Sequence, residues 1–132
     1  LACRAYIELL QLGGRIRMED LTPSLLRRYL KQDIPLLTGL SATYLYRESR
    51  EISSTDSADD VLGEPSGHFV VLCGYDKEKR SVRVADPWEF NPISSDHIYV
   101  IDMDRVICSI LLGILTYDAN LLIVRKKSAV KL

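Results

Sequence analysis

Residues 67–87 read GHFVVLCGYDKEKRSVRVADP, two β-rich runs around a charged turn. His68 to Tyr75 and Ser81 to Ala85 are rich in Val, Leu and aromatic residues, and the intervening DKEKR is polar, the pattern of an antiparallel hairpin. Pro87 has no N–H to give a ladder and restricts the residue before it, so the second strand ends at Asp86. His68 therefore opens one strand and Asp86 closes the next, eighteen residues later. A histidine working as a general base needs a second group on its other ring nitrogen, to hold the tautomer and stabilise the imidazolium. A carboxylate on the adjoining strand suits that role, which makes His68 and Asp86 the candidate site residues.

The pair works only if both side chains emerge on one face. Partners across an antiparallel hairpin share a face, and their residue numbers sum to a constant. Setting His68 opposite Asp86 requires a sum of 154, with Leu72 against Val82 and nine residues, Cys73 to Ser81, in a wide or bulged connection. The tightest turn sets Asp76 against Ser81 instead, a sum of 157, and an odd sum sends His68 and Asp86 to opposite faces. A bulge restores the parity, and Gly74 is where one costs least.

Upstream, Leu1 to Gln11 carries a helical stripe of apolar residues closed by Gly13 and Gly14, and reads as the tail of a helix entered from upstream. Thr22-Pro23 is an N-cap with proline at the first helical position, and Leu25, Leu26, Tyr29 and Leu30 give the following helix, about 23–32, an apolar face. Leu36 to Tyr46, flanked by Pro35 and rich in Thr, Tyr and Leu, predicts a buried strand. Residues 47–66 are charged and small with no sustained period, and predict a loop or flap beside the site. Downstream lie a proline-containing loop, a strand over His97–Ile101, a short helix capped by Asp102 or Asp104 and running through Leu112, and a last strand over Asn120–Lys126. Without repeats or a linker, residues 1–132 make one α+β domain with a mainly antiparallel sheet.

Composition narrows the function. At 47% hydrophobic residues the 132-residue chain buries a real core. A net charge of −1 offers no basic excess for phosphate backbones, so nucleic acid is not expected as a partner. The longest nearly apolar stretch, Val106 to Tyr117, is broken by Ser109 and Gly113 and is shorter than the ~20 residues a membrane span needs, so no membrane span is expected. Cys3, Cys73 and Cys108 are an odd number at wide spacing, which makes neither a disulfide framework nor a paired metal site; buried thiols are the expectation. No metal or cofactor motif is present, and unpaired cysteines with no export signal point to the cytoplasm. The chain starts in what reads as helix interior, so part of its natural N-terminus is expected to lie upstream of Leu1.

The order helix, Gly-Gly, helix, Pro-Leu-Leu strand, then Gly-His-Phe-Val-Val-Leu-Cys-Gly-Tyr-Asp and Val-Arg-Val-Ala-Asp-Pro resembles the bacteriocin-processing (double-glycine leader) peptidases and the wider papain-like cysteine peptidase superfamily. The resemblance covers roughly Leu1 to Pro87, with its specific part in the histidine strand, the Gly-Tyr-Asp turn and the Asp-Pro ending. It implies a papain-like cysteine peptidase fold, N-terminal helices packed on a mainly antiparallel sheet, and a Cys-His-Asp mechanism on a peptide or amide-linked substrate. His68 matches the family histidine and Asp86 the family aspartate. The family's cysteine stands in Cys-Gly-Pro at the start of the first helix, after a glutamine that helps bind the oxyanion, and neither motif occurs here. Cys3 is followed by Arg4 and Ala5 and stands too close to Gly13, so it reads as a small residue inside that helix, with the nucleophile either upstream of Leu1 or absent. A helix N-terminus and a neighbouring imidazolium together lower a thiol pKa by several units from ~8.5, which is why the family's location matters.

Other features read plainly. Cys73 lies on the face opposite His68 by alternation, and Cys108 sits in an apolar run as a core thiol. Asp56, Asp59, Asp60 and Glu64 lack the spacing of a Ca²⁺ loop and read as a solvated acidic flap. His97 reads as a surface residue at a strand start, and Trp88, Phe90 and Tyr99 either line a cleft next to Asp86 or, as aromatic residues near a strand end more often do, serve as core or rim packing. Two other functions fit the same chain: a catalytically inactive relative that binds a peptide or leader segment in the old cleft, and an interaction domain whose sheet edge or flap meets a partner.

Overall fold

The structure, a computed structural model, describes residues 2–113 and 119–125. The first helix, α1 (Ala2–Gln11), ends where Gly13 takes φ +85°, the left-handed conformation that glycine adopts without steric cost; the Gly13 and Gly14 N–H groups close on the carbonyls of Leu10 and Leu9. Its apolar stripe stays largely uncovered, with Ile7 and Leu10 about half exposed. The second helix, α2 (Pro23–Leu30), follows the expected cap: Thr22 is extended and its Oγ1 accepts from the Leu25 N–H at 3.2 Å. It buries Leu25, Leu26, Tyr29 and Leu30.

The expected strand over 36–46 is two elements. The strand β1 (Leu36–Ser41) stops at Ser41, whose Oγ accepts from the Tyr44 N–H at 3.3 Å and caps a short helix, α3 (Ala42–Tyr46). Thr43 and Tyr44 have strand propensity, but the cap and the burial of Ala42, Leu45 and Tyr46 override it. Arg47 ends α3 with φ +62°. The segment 47–66 is not structureless either. It contains a small ribbon, β2 (Glu51–Ile52) against β3 (Ser57–Ala58), and returns to the end of β1, where the Ala42 N–H donates to the Ser66 carbonyl at 2.8 Å.

The long hairpin is present as β4 (Gly67–Asp76) and β5 (Ser81–Ala85), followed by β6 (Ile98–Asp102), α4 (Met103–Leu111) and β7 (Leu121–Ile123). Asp102 is the cap of α4, accepting from the Arg105 N–H at 2.9 Å. The strand expected over 120–126 is shorter: β7 covers only Leu121–Ile123, Asn120, Val124 and Arg125 are outside the strand, and Lys126 lies outside the described residues. Five strands form one sheet in the order β6-β5-β4-β1-β7, every neighbouring pair antiparallel. One face is covered. Leu36, Leu40, Val70, Leu72, Val82 and Val84 point into it and pack in one core with Leu26 of α2, Leu45 of α3 and Val106 and Ile110 of α4, all at most 1% exposed. Each such side chain contributes roughly 1.5–3 kcal/mol by leaving water. On the other face Leu37, Phe69, Ile98, Val100 and Leu122 remain open to solvent.

The fold is thus α+β with helices on one side of an antiparallel sheet. Among the described residues no helix is long and apolar enough to cross a membrane.

Candidate active site

The site lies at the end of the sheet where β1 runs into α3, β4 begins, β5 ends and β6 begins. Its alignment depends on a single residue. At the turn Asp76 faces Ser81, Tyr75 faces Val82 and Gly74 faces Arg83, the odd register of the tight connection. Beyond Cys73 the register shifts, so that Leu72 faces Val84 and Val71 faces Ala85, an even register. Cys73 is the extra residue of a bulge next to Gly74, and it turns the parity that the tight turn imposes. His68, Val70 and Leu72 then share the covered face with Val84 and Asp86. The register continues toward Val70 opposite Asp86, so His68 reaches the carboxylate diagonally rather than from directly across. The direct pairing, with Leu72 against Val82, does not occur.

The contact itself is short. Nε2 of His68 lies 2.8 Å from Oδ1 of Asp86, and that carboxylate side chain is fully buried while the imidazole is partly exposed. The same Oδ1 accepts from the Trp88 main-chain N–H at 2.9 Å. Oδ2 accepts from two phenols, Tyr46 at 2.5 Å and Tyr99 at 2.8 Å. Burial by itself raises the pKa of Asp86, but the hydrogen bonds from Tyr46, Trp88, His68 and Tyr99 outweigh it and hold the carboxyl below its ordinary value. Both phenols are pushed up by their own burial and by facing that carboxylate, so they remain donors. An ionised carboxylate only accepts, so Nε2 carries the proton and the neutral ring keeps its lone pair on Nδ1. Among the described residues Nδ1 has no hydrogen-bond partner.

Two rings flank the imidazole: Tyr46 and Trp88, their centroids 6.2 and 6.3 Å from it and 5.3 Å from one another. Arg105 of α4 fixes α3 from behind, donating from Nε to the Leu45 carbonyl at 2.9 Å and from Nη2 to the Tyr44 carbonyl at 2.7 Å, which satisfies carbonyls at the end of that helix. His97 is exposed, as its position at a strand start implies, yet it also pairs with Asp86 through the main chain: its Nδ1 lies 2.9 Å from the Asp86 carbonyl, and the Asp86 N–H donates to the His97 carbonyl at 2.7 Å.

Sequence reasoning missed Tyr46, which the expected strand absorbed, and for Tyr99 preferred packing to the place beside Asp86 that the structure gives it. The signal for Tyr99 was its place on β6, where alternation puts it beside Val84 on the covered face. Trp88 contributes a wall and an N–H, whereas Phe90 is 78% exposed. The cysteines also differ from expectation: Cys3 and Cys73 are exposed and Cys108 is intermediate. Cys73 lies on the open face of β4, where alternation from His68 places it, its Sγ 3.5 Å from the Arg83 carbonyl, and the bulge puts Gly74 on that face as well. In the acidic segment Asp59 accepts from the N–H groups of Val61 and Leu62 and Asp60 from that of Arg50, so these carboxylates shape the loop's own backbone.

An antiparallel sheet with helices on one face thus carries, at one end, a histidine held by a buried aspartate. A family model described as "Peptidase_C39 like family" matches residues 17–103, more than half of the chain, and the chain belongs to that family. It is therefore a cysteine peptidase-like domain. No curated protein and no solved structure matches the chain significantly.

Proposed function

We propose that the chain is the base-bearing part of a papain-like thiol hydrolase, a cysteine peptidase or amide hydrolase with a Cys-His-Asp mechanism, whose thiol comes from a cysteine N-terminal to Leu1. The observation that carries the reading is the bond between His68 Nε2 and Asp86 Oδ1, which leaves Nδ1 as the basic nitrogen. In this reading the thiol gives its proton to Nδ1 and the sulfur attacks the substrate carbonyl carbon. The imidazolium returns the proton to the amine as the C–N bond breaks, and water hydrolyses the thioester, releasing the acid and the thiol. Asp86 keeps the ring oriented and stabilises the imidazolium. The substrate is a peptide or an amide-linked conjugate.

The test uses the full-length protein with an iodoacetamide-type probe at pH 7. One cysteine upstream of Leu1 is expected to label rapidly, and His68→Ala to slow that labelling at least tenfold. Equal labelling in both proteins removes the catalytic assignment. Saturable peptide binding with no reactive thiol replaces the hydrolase with a peptide-binding relative.

A further inference from the structure

We propose that Tyr46 and Tyr99 are positioning residues that hold Asp86 in one orientation and so select which nitrogen of His68 is basic. The catalytic part of this inference rests on the hydrolase reading, while the geometric part stands without it.

A carboxylate has room for about four hydrogen bonds, and Asp86 uses four. Trp88 N–H and His68 take Oδ1, and the two phenols take Oδ2. The aspartate side chain turns broadly about its last torsion, so an unclamped carboxylate offers His68 either oxygen and a range of directions. With Oδ2 occupied by two O–H donors, only Oδ1 faces the imidazole. The donors come from separate elements, Tyr46 from α3 and Tyr99 from β6, so the clamp spans the site rather than following from one loop. Both tyrosines are buried, at 7% and 6% exposure. A buried phenol needs a partner for its hydroxyl, and each finds it in the same oxygen. The titratable groups facing Asp86 are thus His68, Tyr46 and Tyr99 at the carboxylate, with His97 on its main-chain carbonyl. The low carboxyl pKa agrees with this count of donors.

The experiment is ¹³C NMR of the Asp86 carboxyl and ¹⁵N NMR of the His68 ring in the full-length protein, compared across Tyr46→Phe, Tyr99→Phe and the double variant. Phe keeps the ring and deletes only the donor. Each single change is expected to move the Asp86 titration upward toward the ordinary carboxylate range, the double change further. The His68 ring is expected to shift from a single Nε2–H tautomer to a mixture in the double variant. If the protein hydrolyses amides, kcat falls about tenfold or more with KM unchanged, the loss expected for one hydrogen bond to a charged group. Unmoved Asp86 titration and an unmoved His68 tautomer overturn the proposal, whatever the activity. Moved NMR signals with no hydrolysis leave the clamp standing and remove only the hydrolase reading. Should the Phe variants not fold, 3-fluorotyrosine at 46 and 99 keeps shape and donor while strengthening it, and the Asp86 titration must then move downward; no movement overturns the proposal.

Discussion

His68 and Asp86 meet at 2.8 Å across two strands whose tight turn, taken alone, sets them on opposite faces. The extra residue Cys73 reconciles the two registers. Deleting Cys73 therefore leaves Leu72 against Val84 and Gly74 against Arg83 in one regular ladder, with His68 and Asp86 still on the covered face. Deleting Val71 instead draws Cys73 into the core and turns Leu72 out, and loss of a buried leucine costs about 2–5 kcal/mol. Thermal melts of the two deletions are expected to differ accordingly, with the Cys73 deletion near wild type and the His68 ring NMR signals unchanged in it.

Replacing the carboxylate separates charge from shape. In Asp86→Asn the amide oxygen still accepts from Trp88 and His68, and the phenols turn their hydroxyls to accept from the amide N–H groups, so the fold is expected to hold. In Asp86→Ala the Tyr46, Tyr99 and Trp88 donors lose their acceptor, each at about 1–3 kcal/mol. Urea denaturation is expected to rank wild type and Asn well above Ala, and the Asn variant to lose roughly 10²–10⁴-fold in any hydrolysis that needs an oriented imidazole.

The pH dependence of stability follows from the same four bonds. A carboxyl whose folded pKa lies below its ordinary 3.8 binds fewer protons folded than unfolded, so its contribution is present above that value and is lost as pH falls through the folded pKa. The two phenols are raised from 10.0, so their contribution is complete below that value and is lost as pH climbs beyond it. Melting temperature is expected to fall on both sides of the interval between those values. Tyr46→Phe with Tyr99→Phe is expected to flatten the alkaline side, and Asp86→Asn the acid side.

Arg105 supports the site from outside it. Its guanidinium holds the carbonyls of Tyr44 and Leu45 and stacks over the Tyr44 ring at 5.7 Å, fixing the helix that carries Tyr46. Arg105→Ala is expected to destabilise the fold by about 1–3 kcal/mol and to broaden the Tyr46 signals in NMR spectra. Arg105→Lys cannot reproduce the two-pronged donation, so it is expected to restore less than half of the loss.

Much of the site was legible because its signals are local. The Thr22-Pro23 cap, the Gly13 stop, the hairpin and the Asp86-Pro87 ending each follow from a few adjacent residues, and all are present. Tyr46 was not legible, since strand propensity at Thr43 and Tyr44 concealed the Ser41 cap, and only burial of Leu45 and Tyr46 against the sheet decides for the helix. The ribbon in 51–58 was missed for a related reason: two-residue strands leave no period to read.

The amino-acid order by itself determined which residues could take part: a histidine opening one strand, a carboxylate closing the next, and a glycine where a bulge is cheap. Only the tertiary structure decided that they meet and what surrounds them. Strand parity changes with one inserted residue, and the two phenols arrive from segments 40 and 13 residues away from Asp86. Contacts of that range are set by how helices and strands pack, which no local pattern encodes.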